Sequence, residues 1–361
     1  MKESDFICSS FPQGKEEGRF VWTAPSNIAL VKYWGKRNPQ LPANPSLSFT
    51  LSSSNTTTEI LYTPVSAPRE KVDFSLFLDD KPKPSFRPKV EVFFDRILPY
   101  APFLKTYHLE IRTSNTFPHS SGIASSASGM SALALCVMNL EKELLGVEDD
   151  NYFWRKASFL ARLGSGSACR SLQGPAVVWG EHRAIKGSSD LFGVPVSEEI
   201  NEVFKTYQDS ILLVDKGEKK VSSSVGHNLM NDHPYAERRF IHARENMELL
   251  MQILKSGDLP AFVNMVESEA LTLHAMMLSS NPYYLLMKPN TLRIIEKIFD
   301  YRQDTGTQLS FTLDAGANVH LLYPEADRVE VLEFIDSELL QYCQNQQFLP
   351  DSVGLGAQPG H

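Results

Sequence analysis

Pro118-His-Ser-Ser-Gly-Ile-Ala-Ser-Ser-Ala-Ser-Gly129 leads directly into Met130-Ser-Ala-Leu-Ala-Leu-Cys-Val-Met-Asn-Leu140. The first segment holds one Pro, two Gly and five Ser among its twelve residues, and the second has the composition of a buried, alanine-rich helix. A loop of small residues at a helix start offers unpaired backbone N–H groups and the positive end of the helix dipole. Such a loop predicts an anion site, and phosphate is the usual anion there.

The serines of this loop are candidate ligands of a phosphate group and of its metal ion. The hydroxyls of Ser125 and Ser126 can donate hydrogen bonds to phosphate oxygens or bind Mg²⁺. The loop lacks the Gly-Lys-Ser/Thr ending of a Walker A motif, which excludes that class of nucleotide site. Taken alone, it is also consistent with a Ser/Gly segment that only caps a core helix.

Composition limits the partners of the chain. Its 361 residues carry a net charge of −8, with 42% hydrophobic and 22% charged residues, as in ordinary soluble proteins. The negative charge argues against nucleic acid as a partner, so a few local cations must hold any phosphorylated ligand. Four widely spaced cysteines indicate reduced thiols, and no signal or membrane-spanning segment is evident. We therefore expect a cytoplasmic protein without a membrane partner.

The order of strand and helix patterns predicts an α+β fold with two lobes, covering residues 1–190 and 191–361. Strand patterns occupy residues 19–24, 48–51, 57–62, 107–113, 175–179, 210–215, 309–313 and 319–323. Helical patterns occupy residues 90–97, 126–144, 151–162, 235–256, 258–278, 290–303 and 325–345. Asp258 and Pro260 form an N-cap and first-turn pair. A Pro-rich loop is expected at 82–88, and the tail 348–361 is expected to be loose.

Three further motifs combine small residues with charged ones. Ala24-Pro-Ser-Asn-Ile-Ala-Leu-Val-Lys-Tyr-Trp-Gly-Lys-Arg37 ends in a cationic and aromatic cluster. If a strand continued through it, Lys32 and Trp34 would share one face, and Tyr33 and Gly35 the other. The alternative is an exposed edge strand with solvated lysines.

The third motif is Arg162-Leu-Gly-Ser-Gly-Ser-Ala-Cys-Arg-Ser171, where a guanidinium beside serine hydroxyls suits a carboxylate or phosphate. Cys169 within it is expected to be a small apolar filler and not a nucleophile. The fourth motif is Phe311-Thr-Leu-Asp-Ala-Gly-Ala-Asn-Val-His320. Here Asp314 leaves a strand into a glycine turn, where a structural Asx turn is the alternative to a catalytic carboxylate.

In this order, the four motifs closely resemble the diphosphomevalonate decarboxylases of the GHMP kinase superfamily, over most of the chain. The resemblance rests on Asn-Ile-Ala-x-x-Lys-Tyr-Trp-Gly-Lys, Ala-Ser-Ser-Ala, Gly-Ser-Gly-Ser-Ala-Cys-Arg-Ser and Asp-Ala-Gly-x-Asn, with Lys219-Lys-Val-Ser-Ser-Ser224 in the family's position. It implies a two-lobed GHMP kinase-like fold, with an N-terminal lobe of the ribosomal protein S5-like type and an α/β sandwich as the C-terminal lobe. It also implies use of ATP and Mg²⁺, and a homodimer.

The implied reaction phosphorylates the tertiary 3-hydroxyl of mevalonate 5-diphosphate, and loss of phosphate and CO₂ then gives isopentenyl diphosphate. The resemblance implies that Asp314 orients or deprotonates the hydroxyl and that Arg170 holds the C1 carboxylate. Ser165 would place the substrate, Lys36 would stabilise charge at the transferring phosphoryl group, and Tyr33 would support the diphosphate. The implied ATP-binding residues are Ser120, Ser121, Gly122, Ala124, Ser125, Ser126 and Ser128, with Ser126 as the Mg²⁺ ligand.

The sequence departs from the family pattern in three places. His119-Ser-Ser replaces the usual Thr-Ala-Ala, and Ala317 replaces a Pro. The family's diphosphate-binding arginine has only Arg87 and Lys89 as candidates in the segment 80–95. The alternatives within the fold are a phosphomevalonate decarboxylase and a mevalonate 3-kinase. The retained charged residues disfavour a non-catalytic ligand sensor. The third motif disfavours a sugar kinase.

Overall fold

The computed structural model describes residues 1–12, 16–118, 123–217 and 223–360, without the side chains of residues 223 and 224. The strands are β1 Gly18–Val31, β2 Lys36–Arg37, β3 Leu41–Pro42, β4 Ser46–Pro64, β5 Asp73–Leu78, β6 Lys81–Pro82, β7 Tyr107–Asn115, β8 Ala176–Trp179, β9 Val194–Pro195, β10 Gln208–Leu212, β11 Ser310–Thr312, β12 Val319–Tyr323, β13 Phe348–Ser352 and β14 Gln358–Pro359. The helices are α1 Arg87–Ile97, α2 Ser125–Leu145, α3 Asp150–Gly164, α4 Ser223–Asn228, α5 Ala236–Ser256, α6 Leu259–Leu278, α7 Pro289–Thr305 and α8 Arg328–Phe334. Blocks of strands and helices in this order confirm the α+β class.

The first sheet has eight strands in the order β14-β1-β4-β7-β5-β6, and β8 joins β4 to β9. Its centre is the long antiparallel pair of β1 and β4. Burial alternates along the second half of β4, so that Ile60 and Tyr62 lie in the core while Glu59 and Leu61 are half-buried. The segment 48–62 was predicted as two strands, but the structure joins them into one.

Helix α2 packs on β1 and β4, α3 packs against α2, and together they enclose a large apolar core. The small side chains at the start of α2, such as Ala127 and Ala132, let it approach the sheet, and both are fully buried. Asp149 caps α3 by accepting hydrogen bonds from the N–H groups of Asn151 and Tyr152. This packing holds the N-terminus of α2 at one edge of the core.

The second sheet has four strands in the order β11-β12-β10-β13, and α6 packs closely against β11. Asp258 caps α6 as predicted, because its carboxylate accepts a hydrogen bond of 3.0 Å from the N–H of Ala261. One apolar cluster contains Phe49 of the first sheet, Phe262 of α6 and Leu322 of the second sheet. The two sheets therefore share part of their core, and charged side chains from both meet at its edge.

The prediction of a loose tail is wrong, because β13 pairs with β10 and β14 pairs with β1. Asp351 anchors the tail by accepting hydrogen bonds from the N–H groups of Ser52, Ser53 and Ser54. Gly354 allows the backbone of the tail to lie close to the backbone of β4, since a Cβ at this position would lie 2.6 Å from the carbonyl oxygen of Leu51.

Two other segments differ from the patterns read along the chain. The Pro-rich loop ends earlier than expected, since α1 begins at Arg87. The last helix is interrupted, with α8 followed by a π-helical turn at Ile335–Leu339 and a 3₁₀ turn at Leu340–Tyr342. The domain boundary near residue 190 stays a prediction, and β9 and β14 both belong to the first sheet. Within the described ranges, no helix is long and apolar enough to span a membrane.

Candidate active site

The structure brings the small-residue motifs together at the N-terminus of α2. The 3₁₀ turn Gly166–Arg170 follows α3, and its preceding residue Ser165 faces α2. The hydroxyl oxygens of Ser126 and Ser165 lie 3.3 Å apart. The predicted phosphate loop and the predicted substrate motif therefore share one site.

Arg170 is a buried cation held by neutral acceptors. Its Nε donates to the Ser48 hydroxyl at 2.6 Å, its Nη1 donates to the Ser46 hydroxyl at 2.5 Å, and its Nη2 lies 3.5 Å from Asn27 Oδ1. The residue is 2% exposed, and within the described residues no carboxylate lies within 4.0 Å of it. Burial lowers the pKa of Arg170. A desolvated guanidinium of this kind favours the binding of an anion.

Asp314 follows β11 in a turn whose hydrogen bond joins the Gly316 N–H to the Asp314 carbonyl at 2.7 Å. Its carboxylate accepts a hydrogen bond of 3.2 Å from Lys32 Nζ. The Lys32 side chain is 2% exposed and the Asp314 side chain 31% exposed. The lysine is thus enclosed, while the carboxylate reaches a space that a ligand can enter.

The sequence patterns gave Lys32 only a possible position on one face of a strand. The structure ends β1 at Val31, so strand alternation does not apply to residues 32–35. Burial lowers the pKa of Lys32, and the charge of Asp314 acts in the opposite direction. The contact to Asp314 spans 282 residues of chain, and no local sequence pattern could have indicated it.

Tyr33 and Lys36 follow Lys32 along the chain, on either side of a tight turn at Gly35. Gly35 has φ +92°, a conformation that other residues rarely adopt. The Tyr33 ring packs edge-on against Trp179, with centroids 4.7 Å apart. Lys36 Nζ donates to Gln40 Oε1 at 3.2 Å, and burial together with the charge of Arg96 lowers its pKa. Of these two lysines, Lys32 is the one in contact with Asp314, and the role assigned to Lys36 stays a prediction.

Arg96 is a cation that the sequence patterns did not single out. It lies at the end of α1 and donates from Nη1 to the Leu163 carbonyl at 2.8 Å. Arg87, by contrast, pairs with Glu91 at 2.8 Å and donates to the Phe74 carbonyl at 2.9 Å. The α1 cation whose charge acts on Lys36 is therefore Arg96.

The phosphate loop is described only in part, because Ser120, Ser121 and Gly122 lie outside the described residues. Ala124 precedes α2 with φ +41°, which turns the chain into the helix. Ser125 and Ser126 form its first turn, where backbone N–H groups lack helical acceptors. The Ser128 hydroxyl lies 2.6 Å from the Thr56 hydroxyl, and its assignment to ATP stays a prediction.

A cavity of about 180 Å³ opens beside this helix start. Its apolar wall includes Leu76, Val90 and Ile111, and Ser125 and Ser126 lie at its edge. The polar side chains of Thr58, Thr113, Asn115 and Lys89 also line it. An apolar slot with a few polar groups next to an anion site suits a planar, partly polar ring that carries phosphates.

The serine hydroxyls at the start of α2 suit a metal ion that binds together with phosphate groups. Among the described residues, no group of three or more His, Cys, Asp or Glu side chains is arranged to hold a metal. Mg²⁺ keeps several waters and needs few protein ligands when phosphates bind it. The hydroxyls of Ser125 and Ser126 are suitable ligands for that case.

Cys169 and the segment 219–224 complete the description of the motifs. Cys169 is buried, and burial raises its pKa to about 12, so the apolar role is favoured over that of a nucleophile. Of the segment 219–224, residues 219–222 lie outside the described residues, and the side chains of 223 and 224 are not described.

His227 on α4 supports the turn at Gly35, because its Nδ1 accepts a hydrogen bond of 3.1 Å from the Gly35 N–H. Burial lowers the pKa of His227 to about 3, and the charges of Lys36 and Arg170 act in the same direction. An unfolded histidine gains its proton near pH ~6.5. Falling pH therefore favours the unfolded chain between these two values, by about 2 kcal/mol at pH ~5.

We expect His227→Gln to remove this part of the acid sensitivity. Urea unfolding of both proteins at pH 7 and pH 5 measures it, and the stability gap between wild type and variant should narrow by about 2 kcal/mol at the lower pH. An unchanged gap would contradict the neutral state of His227.

Comparisons with known proteins identify relatives of the chain. Residues 24–190 match the family model "Diphosphomevalonate decarboxylase-like N-terminal domain", and residues 210–355 match "Mevalonate 5-diphosphate decarboxylase C-terminal domain". The chain is 32% identical to the diphosphomevalonate decarboxylase of Gibberella zeae over an alignment of 323 residues that covers 84% of this chain and 81% of that protein. It is 30% identical to the enzyme of that name from Saccharomyces cerevisiae over an alignment of 328 residues that covers 87% of this chain and 80% of that protein.

Solved structures extend the comparison to the fold. The mevalonate diphosphate decarboxylase of Enterococcus faecalis has a TM-score of 0.80 at 26% identity, with 96% of this chain and 99% of that chain covered. A structure described as MDDEF in complex with MVAPP, AMPPCP and magnesium gives the same TM-score, identity and coverage. The two-lobed fold of this chain is the one expected from its motifs.

Proposed function

The chain belongs to the diphosphomevalonate decarboxylase family, and from that premise we propose that it converts mevalonate 5-diphosphate to isopentenyl diphosphate with ATP. The observation that carries the proposal is the meeting of the Lys32–Asp314 pair, the buried guanidinium of Arg170 and the start of α2 at one site. The charge of Asp314, which contacts Lys32, acts on the pKa of Arg170. Ser165, which precedes the turn that carries Arg170, lies 3.3 Å from Ser126 at the start of α2. The pair, the guanidinium and the helix start suit a hydroxyl, a carboxylate and a phosphate chain, which the substrates combine.

In the first step, the 3-hydroxyl oxygen forms a bond to the terminal phosphorus of ATP, and the bond from that phosphorus to the ADP oxygen breaks. Asp314 accepts or orients the hydroxyl proton, since its carboxylate reaches the site while Lys32 holds one of its oxygens. The positive charge of Lys32 favours the ionised carboxylate and counters charge on the reacting phosphoryl group.

In the second step, the new phosphate leaves C3, and the bond between C1 and C2 breaks to form the C2–C3 double bond and CO₂. Arg170 holds the departing carboxylate, because its hydrogen-bond partners Ser46 and Ser48 are neutral and Asp314 acts on its charge only from a distance. The substrate carboxylate supplies the direct anionic partner. Ser165, beside Ser126, lies where the carbon chain passes between the carboxylate and phosphate sites.

ATP binds with its base in the cavity beside α1 and its phosphates at the start of α2. The support is the adjacency of an apolar slot and the N–H groups of Ser125 and Ser126. Ser126 is the proposed ligand of the Mg²⁺ that accompanies the nucleotide, and that ion supplies neutralisation of charge on the phosphate oxygens.

The diphosphate end of the substrate is proposed to bind Lys36 and Arg96, with Tyr33 alongside. Two cations close enough for Arg96 to lower the pKa of Lys36 form a site that favours a polyanion. Each charge-assisted hydrogen bond is worth about 1.5–3 kcal/mol. The pair therefore supports a preference for the diphosphate over the monophosphate.

We expect kcat/KM for mevalonate 5-diphosphate to exceed that for the 5-monophosphate by about tenfold or more. Lys36→Met and Arg96→Met should each reduce this ratio, because each removes a cation that attracts the negative charge of the second phosphate. Arg87→Met is the matched control on α1 and should leave the ratio unchanged. Equal values for both substrates in the wild type would contradict the diphosphate preference without contradicting decarboxylation.

A direct assay tests the reaction itself. The protein is incubated with ATP, Mg²⁺ and mevalonate 5-diphosphate, and CO₂ is measured against a sample without ATP. ATP-dependent CO₂ supports the decarboxylase. A stable 3-phosphorylated product without CO₂ would favour the 3-kinase alternative.

We also propose that the protein is a cytoplasmic homodimer. The thiols of Cys8, Cys136, Cys169 and Cys343 are free in the structure, as is usual in a reducing compartment. Light scattering after gel filtration distinguishes a dimer from the monomer of 40.5 kDa.

A further inference from the structure

A second buried ion pair lies behind the Lys32–Asp314 pair. Arg239 of α5 donates to Glu269 of α6 through Nη1 at 2.9 Å and through Nη2 at 2.6 Å. The two side chains are 1% and 0% exposed. Asn246 of α5 donates a further hydrogen bond of 2.5 Å to the Glu269 carboxylate.

This pair forms hydrogen bonds to both backbone groups of Lys32, its N–H and its carbonyl. The Lys32 N–H donates to Glu269 Oε2 at 2.9 Å, and the Lys32 carbonyl accepts a hydrogen bond of 3.3 Å from Arg239 Nη2. Asn44 Nδ2 donates to the same carbonyl at 3.0 Å. Lys32 follows the last residue of β1, where sheet pairing no longer fixes the chain.

A buried ion pair joins two helices at a high cost in desolvation free energy. Burying two charges costs several kcal/mol per ion before their attraction is counted, and apolar side chains of similar size often serve as well or better. Its contacts nevertheless end on Lys32, whose ammonium group donates a hydrogen bond to Asp314. The arrangement links helices α5 and α6 to a strand of the first sheet, at the point where the proposed chemistry takes place.

We propose that Glu269 and Arg239 are positioning residues that hold the Lys32 ammonium group against Asp314. They act through the Lys32 backbone and do not touch the substrates. The inference rests on the proposed function, because it assigns them to that reaction. The negative charge of Glu269 also favours the protonated amine of Lys32, which Asp314 favours as well and which burial and Arg170 oppose.

Glu269→Gln tests this inference. Glutamine keeps an acceptor for the Lys32 N–H but removes the charge that binds Arg239. We expect kcat for CO₂ release to fall by about 10- to 100-fold, because small displacements of a reacting group cost this much. The KM values for ATP and for mevalonate 5-diphosphate should stay within about threefold, because neither residue contacts a ligand.

Glu141→Gln is the matched control. Glu141 pairs with Lys156 at 2.7 Å, and the side chains are 1% and 0% exposed, so the chemistry of the substitution is the same. Glu141 lies fifteen residues beyond Ser126 along α2, or roughly 22 Å at 1.5 Å per residue. The control should lower the thermal midpoint but leave kcat within about twofold.

A double-mutant comparison separates positioning from general destabilisation. In a Lys32→Met background, Glu269→Gln should change the residual rate by less than about twofold, because the group that it positions is absent. The same loss of rate in both backgrounds would overturn the proposal, as would wild-type kcat in Glu269→Gln.

Arg239→Lys carries the same test if Glu269→Gln does not fold, since one ammonium group cannot bind both Glu269 and the Lys32 carbonyl as the guanidinium does. It should lower kcat at unchanged KM, and wild-type kcat would overturn the proposal. Absence of ATP-dependent CO₂ release from the wild type contradicts the proposed function instead, so the two failures are distinguishable.

Discussion

Asp314→Asn should lower turnover by about 10²- to 10⁴-fold, the usual cost of losing a general base. Asparagine has nearly the same shape, so the turn after β11 and the hydrogen bond from the Gly316 N–H to the Asp314 carbonyl should survive. It removes the charge that Lys32 contacts at 3.2 Å and the basicity that accepts the proton. Steady-state kcat for CO₂ release measures the loss, and nucleotide binding by titration should stay within a few-fold of wild type.

Asp258→Asn is the control for this substitution. Asp258 caps α6 with a hydrogen bond of 3.0 Å to the Ala261 N–H, and Asn caps helices as well as Asp does. Its turnover should equal that of the wild type. Near-normal turnover in Asp314→Asn would make Asp314 a structural turn residue and would remove the base from the mechanism.

Arg170→Ala should reduce kcat/KM by the equivalent of about 2–5 kcal/mol, because it removes one partner of a buried charge pair formed with the substrate carboxylate. Arg170→Lys keeps the charge but cannot engage Ser46, Ser48 and a planar carboxylate together. We therefore expect the lysine variant to be clearly impaired as well. In this variant the rate of CO₂ release should fall by at least as large a factor as the rate of ATP consumption.

Arg302→Lys is the matched control, because Arg302 already pairs with the carboxylate of Glu267 at 2.7 Å in the second lobe. Its kinetics should remain those of the wild type. Normal kinetics in Arg170→Lys would exclude a two-pronged contact to the carboxylate and would return Arg170 to a packing role against Trp179, whose ring lies 5.7 Å away.

Local features of the fold could be read from the sequence because their causes are local. The alanine-rich run from Met130 to Leu140 lies in α2, and Asp258 caps α6, since spacing and capping act within a few residues. The tail could not be read in this way. Its Gly and Pro residues favour loops, but β14 finds its partner in β1, at the other end of the chain.

Some residues of the candidate site could likewise be predicted from local sequence, and others could not. Small residues beside an arginine indicated Arg170, and a carboxylate entering a glycine turn indicated Asp314, before any contact was visible. Lys32 and Lys36 stand four residues apart in one motif, and only the packing of both sheets shows that Lys32 meets Asp314. The sequence offers no comparable sign for Arg96, because a basic residue in the last turn of a helix is common at surfaces.

The most direct measurement follows the products of mevalonate 5-diphosphate that is isotopically labelled at C1. With ATP and Mg²⁺ present, the account predicts that ADP, inorganic phosphate and labelled CO₂ appear in equal amounts, and that no labelled CO₂ forms without ATP. Formation of ADP with the label retained in a 3-phosphorylated product, or labelled CO₂ in the absence of ATP, would contradict the account.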